Sequence, residues 1–139
     1  MKHDLSRAIT LLNEGAYTCV AVRGDTVYTT AERGVKPLLA WLEQGVSLVG
    51  FSVADKVVGK AAALLYVLLG AEHVHTRVVS ACAAEVFRAH GIALTYDLLV
   101  DAIINRAGTG FCPMETATKD ITDPADALRV IRDTLAKLK

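Results

Sequence analysis

Apolar residues change their spacing several times along the chain, and each change marks an element. Leu5, Ala8, Ile9, Leu11 and Leu12 recur at helical spacing behind Asp4, which predicts a surface helix over residues 1–14, ended by Gly15. Residues 17–23 and 26–30 are rich in β-formers and are joined by Gly24-Asp25, a two-residue link suited to a tight hairpin. Pro37 falls where a first helical turn tolerates it, and Leu38, Leu39, Trp41 and Leu42 continue that helix to Gly45. Residues 47–53 are short, mostly apolar and uncharged, the pattern of a strand covered on both faces. Ala54, Asp55 and Lys56 break this strand, and residues 56–69 then run apolar almost all round until Gly70, which suits the left-handed position after a helix. A helix with no polar face belongs inside a protein. This one falls short of the roughly 20 residues a bilayer needs, and Lys60 interrupts it.

Farther on, Val74, Thr76 and Val78 alternate with His73, His75 and Arg77, the period of a strand with one polar face. Residues 81–90 predict a short helix closed by Gly91, and residues 92–96 another strand. Asp97 is read as the start of a helix carrying Leu98, Leu99, Ala102, Ile103 and Ile104 into the turn around Gly108 and Gly110. Asp123 and Pro124 open a last helix with the buried stripe Leu128, Ile131, Leu135 and Leu138. Strands separated by helices imply an α/β sandwich.

At 139 residues the chain predicts a single domain over 1–139, and 53% hydrophobic content points to a dense core. Lys and Arg balance Asp and Glu at fifteen each, and no basic cluster interleaves with aromatics. The expected partners are therefore small molecules, with no nucleic acid and no membrane surface. Cys19, Cys82 and Cys112 are odd in number and scattered, so thiols are expected instead of disulfides. No signal-peptide pattern opens the sequence, which places the chain in the cytoplasm as an expectation.

Candidate chemistry gathers at three places. The end of the central strand and the start of the apolar helix bring Asp55, Lys56 and Lys60 to an anion-friendly corner, with Asp55 as a helix cap in the plainer reading. A phosphate loop is excluded there, because Ala54 stands where its first glycine belongs and Ala61 follows the lysine. Ser80 and Cys82 fall at the next helix start, where free N–H groups favour a thiolate, and Glu85 lies one turn on. Phe111-Cys112-Pro113-Met114-Glu115 sets a thiol beside a rigid proline and near a carboxylate, with Asn105 and Arg106 close in sequence. His73 and His75 share a strand face without an evident third metal ligand.

The runs RGVKPLL at 33–39, ADKVVGKAAALL at 54–65, NR at 105–106 and CPME at 112–115 resemble the signature of a family of unknown function similar in fold to cytidine deaminases. The resemblance implies a three-layer α/β sandwich, a mixed sheet with helices on both faces. Zinc deaminases carry His-x-Glu or Cys-x-Glu at one core helix start and Pro-Cys-x-x-Cys at the next. Here Gly59-Lys60-Ala61 and residues 79–83 stand in those places, so neither a metal nor another cofactor is expected. The leading expectation is a module that binds a small nucleotide-like or phosphorylated ligand through Asp55, Lys56, Lys60, Ser80, Cys82, Asn105, Arg106, Cys112 and Glu115. The alternatives are a metal-independent enzyme with Cys112 or Lys60 as nucleophile and Glu115 or Glu85 as acid and base, and a structural homo-oligomer, which the apolar content permits.

Overall fold

A computed structural model of the chain describes residues 2–32, 34–103 and 113–138. The first helix, α1 (Lys2–Glu14), leads into a hairpin of β1 (Cys19–Arg23) and β2 (Thr26–Thr30). Gly24, at φ +56°, supplies the left-handed step that its tight turn needs. After α2 (Lys36–Glu43), strand β3 (Ser52–Val58) pairs antiparallel with β1. Strands β4 (His73–Ser80) and β5 (Ala93–Val100) then add in parallel, giving the order β2-β1-β3-β4-β5. Parallel neighbours require crossovers. Helices α3 (Lys60–Leu69) and α4 (Ala81–Ala89) make them, and α5 (Pro113–Ala117) and α6 (Pro124–Leu138) complete the described chain.

The two faces of this mixed sheet are covered differently. Ala8 and Leu12 of α1 close over Val20, Val22 and Ala54 on one face. On the other, Cys19, Ala21, Val53 and Val74 join a larger core with α2, α3, α4 and α6. Helix α3 needs no polar face because α2, α4, α5 and α6 all pack around it. Leu64 and Leu65 are wholly buried there, each worth about 1.5–3 kcal/mol of apolar transfer. Gly70 ends α3 at φ +84°, and a Cβ at this position would stand 2.6 Å from Val49. Among the described residues no helix is long and apolar enough to cross a membrane.

Two sequence expectations need correction. The central strand is Ser52–Val58 and not residues 47–53, because Leu48 and Phe51 are buried in a turn around Gly50, at φ +79°. Asp55 and Lys56 do not break the strand, since the Asp55 carboxylate is hydrogen-bonded within the fold. Helix α3 consequently begins a turn later, at Lys60, with Gly59 as its N-cap. Asp55 caps no helix, and Lys56 and Lys60 share no helix face. The second correction is at Asp97, which opens no helix and lies within β5. A short apolar run such as Leu98-Leu99-Val100 fits either period, and pairing with Val78, Val79 and Ser80 decides it.

Candidate functional site

Parallel strands β3 and β4 end side by side, and each turns directly into a helix, so the N-termini of α3 and α4 open at one edge of the sheet. Ser80 caps α4 through the Ala83 N–H, which donates to its Oγ at 3.2 Å. Gly59 offers α3 no side-chain cap. A third element supplies it: Glu115 of α5 accepts from the Lys60 N–H at 2.6 Å and from the Ser80 hydroxyl at 3.0 Å, both on Oε1. Its Oε2 accepts from the Ile103 N–H at 2.9 Å. One carboxylate thus ties two helix starts and the segment after β5 together, in the place where helix dipoles favour negative charge.

This approach explains Gly59. Its φ of −96° is open to any residue, so conformation does not require glycine. Space does, because a Cβ would lie 3.2 Å from Ile103 Cγ1 and 3.3 Å from both Glu115 oxygens.

Lys60 is 8% exposed, and its ammonium donates to the Lys119 carbonyl at 2.7 Å. Its main-chain N–H and its ammonium thus both donate to α5 or the turn after it. Among the described residues no carboxylate stands within ion-pairing distance of this ammonium. Residues 104–112 contain no Asp or Glu.

Beneath α3 lies a second polar group. Cys19 of β1 stands opposite Asp55 of β3 in the ladder, and Tyr66 of α3 reaches both. The Tyr66 hydroxyl donates to Asp55 Oδ2 at 2.5 Å and lies 3.1 Å from the Cys19 thiol, while Asp55 Oδ1 accepts from the Lys56 N–H at 2.7 Å. Burial pushes the Asp55 carboxyl up to about 6, against the lowering effect of its hydrogen bonds. Burial, reinforced by the Asp55 charge, also raises the Cys19 thiol and the Tyr66 phenol.

Of the expected site residues, Lys60, Ser80 and Glu115 meet at the helix starts. Asp55 lies apart under α3, Lys56 is half-buried at the end of β3, and Cys82 is exposed on α4. Asn105, Arg106 and Cys112 lie outside the described residues. Glu85 pairs with Arg88 on the exposed side of α4, away from Glu115. His75 Nδ1 lies 2.8 Å from the Thr95 hydroxyl, and among the described residues no three His, Cys, Asp or Glu side chains could hold a metal. Sequence reasoning missed Gly59, Tyr66 and the Ile103 N–H. Tyr66 carried a signal, being a hydroxyl on an otherwise apolar buried helix.

No curated protein matches the chain. A crystal structure of a DUF1893 family protein (TM1506) from Thermotoga maritima is similar to it at a TM-score of 0.89 and 26% identity, over 96% of this chain and 90% of that one. The family model described as TM1506, domain of unknown function (DUF1893), matches residues 7–135, and the chain belongs to that family.

Proposed function

We propose that the chain is a small-molecule binding module on a cytidine-deaminase-like fold, and that it takes a phosphorylated or nucleotide-like ligand at the edge where α3 and α4 begin. The observation that carries this reading is Lys60, a buried ammonium with one main-chain acceptor and no carboxylate partner among the described residues. Burying a charge costs several kcal/mol unless an opposite charge meets it. An anionic group of the ligand meets it here. Glu115 holds the two helix starts in place, and among the described residues its Oε2 accepts from the Ile103 N–H.

The deaminase-like architecture is supported by a mixed sheet with helices on both faces and by two helix starts that converge. Zinc chemistry does not fit these residues. The first start offers Gly59, Lys60 and Ala61, and the second offers Ser80, Ala81 and one exposed thiol, Cys82, which makes no tetrahedral donor set. Mass spectrometry of the denatured protein identifies what co-purifies, and calorimetry with inorganic phosphate and nucleoside monophosphates ranks candidates. Lys60→Met keeps most of the stem volume, so it is expected to fold and to bind the same anion at least about tenfold more weakly. Equal affinity in the two proteins refutes the assignment.

A further inference from the structure

We propose that β5 and the flank of α4 form the interface of a two-fold dimer, with β5 pairing antiparallel to β5 of a second copy. Among the described residues the sheet ends on β2 at one side and β5 at the other. Strand β2 has five residues, three of them threonine, and its Tyr28 packs on the core. Strand β5 has eight residues, no proline, no lysine or arginine, and one charge, Asp97, whose carboxylate lies 3.8 Å from His75. Monomeric proteins blunt long edges with charge, proline or bulges, and β5 carries little of this protection. Tyr96, Leu98 and Leu99 are instead 46%, 55% and 47% exposed. Val57, 48% exposed, extends the apolar surface inward across the Val57–Val78–Leu98 register.

The layer above the sheet argues for a second copy as the occupant. Helix α4 crosses from β4 to β5 and packs on both. Strands are about 4.8 Å apart, so pairing two β5 edges sets two α4 helices about 10 Å apart, the spacing at which helices pack. They run antiparallel across the axis. The two charges of α4, Glu85 and Arg88, pair with each other within one copy, so the helix flank brings no unpaired charge to the joint. A formal net charge of zero adds no repulsion between copies. The dimer sheet is continuous over both copies and roughly 26 Å long at the joint.

Light scattering and sedimentation over roughly 1–100 µM protein are expected to show a particle of twice 14.8 kDa. Leu98→Lys, on an exposed position, is expected to raise the dimer dissociation constant at least about tenfold with an unchanged circular dichroism spectrum. Glu85→Arg is expected to weaken association, and combining it with Arg88→Glu to restore it. Amide exchange on the wild-type chain gives an arm that needs no variant: residues 93–100 gain protection as concentration rises, and residues 26–30 do not. A monomer at every concentration overturns the proposal. So does a dimer indifferent to both sets of substitutions, or one whose β5 amides exchange at the same rate throughout.

Discussion

Asp55→Asn isolates the cost of the buried carboxylate under α3. Its carboxyl is raised from 3.8 to about 6, chiefly by burial, so the folded state holds a proton that the unfolded chain releases. An acid with a raised folded value contributes most below about pH 3.8, and its contribution is lost as pH rises through about 6. The full penalty at neutral pH is about 3 kcal/mol, of which about 2 kcal/mol develops between pH 4.5 and 7.5. These are upper limits, because the residue keeps some solvent contact and water screens its charge. Asparagine preserves the shape: its Oδ1 accepts from the Lys56 N–H, its Nδ2 donates to Tyr66, and the Tyr66 hydroxyl turns to the Cys19 sulfur. Urea unfolding of both proteins across this pH range measures the difference. The variant's advantage is expected to grow with pH by up to about 2 kcal/mol. A difference that is flat, or that shrinks as pH rises, refutes the argument by showing that the Tyr66 and Lys56 donors outweigh burial.

Three further substitutions probe the helix starts. Glu115→Gln brings an amide N–H against the Ile103 N–H or withdraws an acceptor from Lys60 and Ser80, and chemical denaturation is expected to show a loss of about 2–3 kcal/mol. Gly59→Ala, in a backbone conformation alanine accepts, is expected to lose about 1–3 kcal/mol through crowding of Ile103 and Glu115, and the loss should shrink in a Glu115→Ala background to the part due to Ile103. Ser80→Ala removes both the α4 cap and a donor to Glu115, and a fall in stability of about 1–2 kcal/mol is expected in thermal unfolding.

Much of the fold is determined by local pattern. The Gly24-Asp25 hairpin, α2 behind Pro37, strand β4, the Ser80 cap and the Asp123–Pro124 opening of α6 follow from periodicity and turn chemistry, which act within a few residues. The burial of α3 was equally legible, since a helix without a polar face has to be enclosed. Tertiary structure decided what local pattern leaves open. The Asp55 and Lys56 charges look like a break in any short window, and Tyr66, eleven residues on, adds to the local Lys56 N–H the donor that such a window does not show. Residues 98–100 fit helix or strand until β4 offers them a ladder. The site shows the same division. Lys60 and Ser80 could be singled out by their positions, and Glu115 by its unusual setting, but their meeting depends on α5 crossing 55 residues of chain to reach α3. Gly59 is the sharpest case: its backbone angles ask nothing special of it, and the reason for a glycine is the Ile103 side chain and the Glu115 carboxylate, which arrive from other parts of the fold.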